Sequence, residues 1–212
     1  MKKVCLIACL LSFNSVAHAQ FFSLGEAYEQ KSRTDSIGET ARPNVVVNEK
    51  EEETDFVSQM KGLWMSVSMP LDRMRMTSDY GMRKHPVLGK RMAHNGIDFG
   101  VPVGSNVYAM MDGVVSRTGY DKRSGKFVVI SHGEYEVCYC HLSAVLVKKG
   151  EQVKAGQVTS LSGDTGLVSG AHLHYGLKYN GKWCNPNVLL NRIKETRLLV
   201  LQMVEEHSKE NA

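Results

Sequence analysis

Phe127-Val128-Val129-Ile130-Ser131-His132-Gly133-Glu134-Tyr135-Glu136-Val137-Cys138-Tyr139-Cys140 decides the fold class. Phe127 to Ile130 and Glu136 to Cys140 are short runs rich in β-branched and aromatic residues, the composition of strands. Ser131-His132-Gly133-Glu134 reads as the hairpin turn between them. The same pattern extends on both sides. From about Pro70 to Pro186, short apolar runs alternate with glycine-bearing turns, as in Val107-Tyr108-Ala109-Met110, Gly113-Val114-Val115 and Leu173 to Leu177. Many short strands with close turn signals mean a mainly β domain built on antiparallel sheet.

One internal echo refines this. Pro102-Val103-Gly104-Ser105-Asn106-Val107-Tyr108-Ala109, followed by Asp112-Gly113-Val114-Val115, is matched by Lys149-Gly150-Glu151-Gln152-Val153-Lys154-Ala155-Gly156-Gln157-Val158. Both place glycines in turns before short valine strands. The echo resembles the hybrid-sandwich motif of biotinyl and lipoyl carriers, so a barrel-sandwich-hybrid-like arrangement is expected. A carrier needs an exposed lysine at a hairpin tip in a methionine- or alanine-flanked motif. The chain has no such tripeptide, and the echo bears on the fold alone. After Pro186 the period becomes helical. Leu189, Leu190, Ile193, Leu198, Leu201 and Val204 can share a broad apolar stripe, so a C-terminal helix is expected, packed on the β body or on a partner protein.

Outside this body the chain changes character. Lys2 and Lys3, the apolar run Val4 to Leu11, and Ala17-His18-Ala19 before Gln20 have the order of an export signal with its cleavage site, so residues 1–19 are expected to be removed. Leu6-Ile7-Ala8-Cys9 is a second, lipoprotein-type reading, with a very short apolar run ahead of Cys9. Residues 20–60 hold nine acidic and four basic residues, a net of −5, and read as a mostly irregular extension. Residues 61–212 carry 20 basic and 13 acidic residues, a net of +7, which suits an anionic polymer as well as an ordinary solvated surface. The opposed charges suggest that the extension lies over the body. The expected boundaries are 1–19 signal peptide, 20–63 acidic, mostly irregular extension, 64–187 main domain, and 188–212 C-terminal helix and tail. Cys138, Cys140 and Cys184 would remain after cleavage, an odd count that makes a poor disulfide framework. Buried thiols are the expected state, with a bridge from Cys184 as the alternative.

Chemistry concentrates in four of the eight histidines and one aspartate. His94-Asn95-Gly96-Ile97-Asp98 offers an imidazole and a carboxylate that can point at one ion, with Gly96 permitting a tight turn. Both groups are good zinc ligands. In His172-Leu173-His174 the two imidazoles sit at i and i+2, on one face of a strand, while Leu173 turns to the core. In Tyr139-Cys140-His141-Leu142, strand alternation pairs Tyr139 with His141 on one face and Cys140 with Leu142 on the other. His132 reads as a turn residue, His85 as a loop residue, and His207 as part of a polar tail. A catalytic zinc uses three protein ligands and keeps one position open, so five candidates leave two groups for proton transfer. Zinc lowers the pKa of its water to about 7 and polarises a carbonyl. The inventory fits zinc-assisted amide hydrolysis.

Met76 to Pro186 resembles the lysostaphin-type (LytM-like) zinc endopeptidases, a family of peptidoglycan hydrolases. The resemblance rests on Ser78-Asp79-Tyr80-Gly81-Met82-Arg83-Lys84-His85-Pro86 and His94-Asn95-Gly96-Ile97-Asp98-Phe99-Gly100-Val101-Pro102. It continues in Ala109-Met110-Met111-Asp112-Gly113-Val114-Val115, Tyr139-Cys140-His141-Leu142 and Gly170-Ala171-His172-Leu173-His174-Tyr175. It implies that His94, Asp98 and His174 ligate Zn2+ and that His141 and His172 are a non-ligating catalytic pair. Cys140 stands where the family usually has a small residue, and Asn185-Pro186 replaces a more usual Asp-Pro. In latent relatives an asparagine approaches the metal, a role Asn44 or Asn48 could take here.

The expectation is an exported zinc metalloendopeptidase, in the periplasm or cell envelope, whose partner is peptidoglycan and not nucleic acid. Two rivals exist: a non-catalytic peptidoglycan-binding activator of another wall hydrolase, and a scaffold whose zinc only holds the fold. The full ligand set argues against the first, and the two extra histidines argue against the second.

Overall fold

The chain's computed structural model describes residues 49–84, 87 and 89–210. The signal peptide, Asn44, Asn48, most of the acidic extension and His85 lie outside the described residues. In chain order the elements are α1 (Glu49–Met65), β1 (Met76–Ser78), β2 (Gly81–Lys84), β3 (Arg91–His94), β4 (Gly96–Phe99), β5 (Asn106–Tyr108), β6 (Gly113–Asp121) and β7 (Gly125–His132). They continue with β8 (Tyr135–Leu142), β9 (Ala144–Val145), β10 (Gln152–Val153), β11 (Val158–Leu161), β12 (Leu173–Tyr179), β13 (Lys182–Cys184) and α2 (Asn187–Glu210). The fold is mainly antiparallel β-sheet with a C-terminal helix, as the strand pattern implies.

An eight-stranded sheet runs in the order β1-β4-β12-β8-β7-β6-β10, with β13 taking over from β4 along the second half of β12. β5-β11-β9 form a three-stranded sheet and β2-β3 a hairpin of their own. β12 explains why the large sheet is stable and why it carries a site. Leu173, Tyr175 and Leu177 are fully buried, while His174 and Lys178, which alternate with them, are half-buried on the other face. Directly opposed residues of an antiparallel pair project to the same side. Tyr175 faces Tyr139 on β8 and Ile97 on β4, and these rings and Ile97 are fully buried in the core. His174 faces Asp98 on one neighbour and Cys140 on the other, so these three form a row on the opposite face.

The structure corrects three readings. Alternation breaks in β8: Lys126 pairs with Leu142 and Val128 with Tyr139, so Cys140 and His141 together oppose Phe127. This is a β-bulge, and His141 adopts a left-handed φ of 63° within it. Tyr139 and His141 therefore do not share a face: Tyr139 goes into the core, and His141 turns out toward His174. Second, part of the stretch read as irregular, Glu49–Met65, is helical and packs on α2. Phe56 stacks on His207 with ring centroids 4.0 Å apart, and Arg197 lies 4.1 Å over the Trp64 ring. Third, the apolar residues expected to share one stripe of α2 are not all buried, and beyond the first turns burial passes to Val200. Leu189, Leu190 and Ile193 are buried, whereas Leu198, Leu201 and Val204 are exposed. Cys138, Cys140 and Cys184 are free thiols, and burial pushes Cys138 up to about 11 and Cys140 up to about 12.

Candidate metal centre

Three strands deliver three electron-pair donors to one point. His94 ends β3, Asp98 lies in β4, and His174 sits opposite Asp98 on β12. His94 Nε2 is 3.0 Å from Asp98 Oδ1 and 3.1 Å from His174 Nδ1, and His174 Nδ1 is 2.9 Å from Asp98 Oδ1. On the far side of its ring, His94 Nδ1 meets the carbonyl oxygen of Asp79 at 2.7 Å. A carbonyl only accepts, so that nitrogen carries the proton and Nε2 turns a lone pair toward the carboxylate. Lone pairs aimed at one another, in a nearly buried cluster, are the donor set of a divalent cation. The residues present therefore fit a zinc ion.

Gly96 makes the convergence possible, though not as a tight turn. It is a strand residue paired with Gly176, and a Cβ there would stand 2.5 Å from His174 Cε1 and 2.6 Å from the Tyr175 carbonyl. The space a side chain would take belongs to the His174 imidazole.

Burial opposes charge throughout the cluster. It would raise the Asp98 carboxyl, but with no ion bound and a proton carried toward it on the His174 or His94 ring, hydrogen bonds and charge from these imidazoles outweigh burial and hold the group well below the usual carboxylate range. Burial also depresses His174, against the pull of Asp98. The second carboxylate oxygen, Oδ2, accepts a hydrogen bond from Arg83 Nη2 at 2.9 Å.

His141 and His172 stand beside this cluster. Their ring centroids are 4.7 Å apart, and His141 is 5.8 Å from His174 by the same measure. His172 Nε2 lies 3.8 Å from Asp98 Oδ1, farther than either imidazole nitrogen of the triad. Both rings are oriented by carbonyls: His141 Nδ1 donates to Thr165 at 2.9 Å and His172 Nδ1 to Gly170 at 2.8 Å. Each then keeps Nε2 as an acceptor. The Thr165 carbonyl is itself fixed, because its Oγ1 donates to Leu142 and accepts from the Lys126 amide. Burial is the main cause that pushes His141 down to about 4, more than offsetting the Thr165 contact, so its ring is neutral at pH 7.

All five residues singled out in the sequence are thus in one place, while His132 and His207 are not. His132 ends β7 and donates to the Asp112 carbonyl, and His207 stacks on Phe56. Sequence reasoning missed Arg83 and the orienting carbonyls of Asp79, Thr165 and Gly170. Arg83 and Asp79 fall inside the quoted run Ser78 to Pro86, but nothing in their spacing points to Asp98. A carbonyl contact leaves no trace in residue identity.

A mainly antiparallel β domain with two histidines and an aspartate converging beside two further imidazoles has the makings of a metallohydrolase. The sequence model of peptidase family M23 matches residues 92–186, and the chain belongs to that family. The peptidoglycan DD-endopeptidase ShyA of Vibrio cholerae is 46% identical over 119 residues, covering 55% of this chain and 28% of that one. A crystal structure described as a zinc containing peptidase from Vibrio cholerae aligns with a TM-score of 0.52 and 40% identity, over 55% of this chain and 37% of that one. The structure of LytU aligns with a TM-score of 0.51 and 30% identity, over 61% of this chain and 94% of that one. The chain spans 28% of the length of ShyA and of its Vibrio cholerae relative ShyC, and 36% of a Buchnera aphidicola metalloprotease it also matches.

Proposed function

We propose that this chain is a zinc metalloendopeptidase that hydrolyses peptide crosslinks or stem peptides of bacterial peptidoglycan. The carrying observation is the meeting of His94 Nε2, Asp98 Oδ1 and His174 Nδ1, with His141 and His172 within reach and not in the triad. His94, Asp98 and His174 would hold the ion, which supplies an acidified water and a polarised carbonyl. His141 and His172 move the protons. With Nδ1 of each ring committed to a carbonyl, Nε2 is the atom that takes a proton from the attacking water or, once protonated, passes one to the leaving amine. The imidazolium so formed also stabilises the tetrahedral oxyanion.

The name of ShyA, a DD-endopeptidase, favours the D,D crosslink as the bond cut. The dilysine, the apolar run and Ala17-His18-Ala19 support export, which would bring the enzyme to its polymer in the periplasm or envelope. Digestion of purified sacculi, with mass analysis of the soluble products, tests the proposal. Crosslinked dimers should give way to monomers when zinc is supplied, and a chelator should stop the reaction. Zinc binding with no change in the muropeptide profile would leave a wall-binding protein in place of an enzyme.

A further inference from the structure

Arg83 has no role in the chemistry above, yet among the described residues it makes the one hydrogen bond given to the second oxygen of the Asp98 carboxylate. Arg83 lies on β2, which pairs with β3 so that Gly81 opposes His94 and Arg83 opposes Met92. The hairpin therefore carries an imidazole of the triad and this guanidinium on the same face, two residues apart along β2. Nη2 donates to Oδ2, while Oδ1 of the same carboxylate faces His94 Nε2 and His174 Nδ1. Asp98 is nearly buried, with its side chain 10% exposed, and that of Arg83 is 27% exposed, so the contact is shielded from solvent. Arg83 Nε is buried with no hydrogen-bond partner among the described residues. The side chain forgoes that bond and keeps Nη2 on Asp98, which marks the Asp98 contact as the one that sets its conformation.

We propose that Arg83 is a positioning residue that confines Asp98 to coordination through a single oxygen and so sets the affinity and coordination number of the metal site. A carboxylate with both oxygens free can bind one ion through both. With Oδ2 held by a guanidinium, the carboxylate plane is fixed and one oxygen remains for the ion. This inference rests on the metal site proposed above. A competing effect has the opposite sign: the positive guanidinium repels a cation, so its removal would tighten binding if charge alone mattered.

The experiment uses metal-free wild type, Arg83→Gln and Arg83→Lys. Zinc affinity is measured by competition with a chromophoric chelator, and the cobalt-loaded proteins are compared by visible absorption, which is intense at four-coordinate and weak at higher-coordinate sites. Arg83→Gln should bind zinc on the order of 10- to 100-fold more weakly, the usual effect of losing an orienting partner. Its cobalt band should also weaken as the carboxylate takes up a second bond. Lysine keeps the charge without the planar fork, so Arg83→Lys should lose less, but still measurably. Wild-type affinity and spectrum in Arg83→Gln, or tighter binding, would overturn the proposal. If Arg83→Gln does not fold, Arg83→Lys decides alone: a several-fold loss with a weakened band supports the role, and wild-type values refute it. His94→Ala is the control for the underlying site. If it binds zinc as wild type does, the metal-site reading fails, and the Arg83 proposal falls with it.

Discussion

At Gly96 the fold gives up a side chain to seat the imidazole of His174. A methyl group there would overlap the ring and the Tyr175 carbonyl, and backbone cannot retreat within a paired strand. Gly96→Ala should displace His174 and lower zinc affinity, by about the 10- to 100-fold that misplaced ligands cost. Equilibrium dialysis checks it, and unchanged affinity would mean that the strand shifts at little cost. The cluster also sets a pH dependence. His141 is depressed to about 4 from an ordinary value of about 6.5, and His174 and Asp98 are depressed too. The native state then holds fewer protons than the unfolded chain under mildly acidic conditions, so stability rises with pH there. The melting temperature of the metal-free protein should be level above about pH 7 and fall as pH drops from about 6.5 toward 4. His141→Gln should make that fall shallower, and an identical slope in wild type and variant would assign it to other groups. These residues were legible in the sequence because imidazoles and carboxylates are scarce and costly to bury. Their orientation was not, because it depends on the carbonyls of Asp79, Thr165 and Gly170.

Strand period was a sound guide wherever the ladder is regular. Along β12 it separates Leu173, Tyr175 and Leu177 from His174 without error. In β8 it fails at one residue, because the bulge at Cys140-His141 resets which face follows, and no glycine or proline marks the place. α1 was missed for a different reason. The run Glu49-Lys50-Glu51-Glu52-Glu53 reads as solvated chain, and the apolar residues that follow, Phe56, Met60 and Trp64, show their spacing of four only when the window extends past residue 60. Much of that helix's stability comes from packing on α2 rather than from its own sequence. α2 divides along its length, and two substitutions test the division. Ile193→Ala, at a fully buried position, should cost about 2–5 kcal/mol of unfolding free energy. Leu198→Ala, at an exposed one, should stay within about 0.5 kcal/mol. Denaturant titration measures both, and equal costs would show that Leu198 is covered in solution.

For the whole molecule, sheet and site form one design. The core face of β4, β12 and β8 is filled by Ile97, Tyr175 and Tyr139, and the same register lines up Asp98 and His174 on the reverse. The fold class was legible because its strands are short, apolar and separated by turns. The order of strands in the sheet, which brings β4 beside β12 across the 73 residues between Phe99 and Leu173, was not, because pairing partners distant in sequence leave no local period. The central claim is that one imidazole of His172-Leu173-His174 holds the metal while the other works on the substrate. The most direct measurement determines zinc content and sacculus hydrolysis on the same preparations of wild type, His172→Ala and His174→Ala. His172→Ala should keep near-stoichiometric zinc and lose on the order of 10² to 10⁴ in rate, the contribution of a positioned acid–base group. His174→Ala should lose both zinc and activity. Loss of zinc in His172→Ala, or wild-type turnover in either variant, would contradict that division of labour.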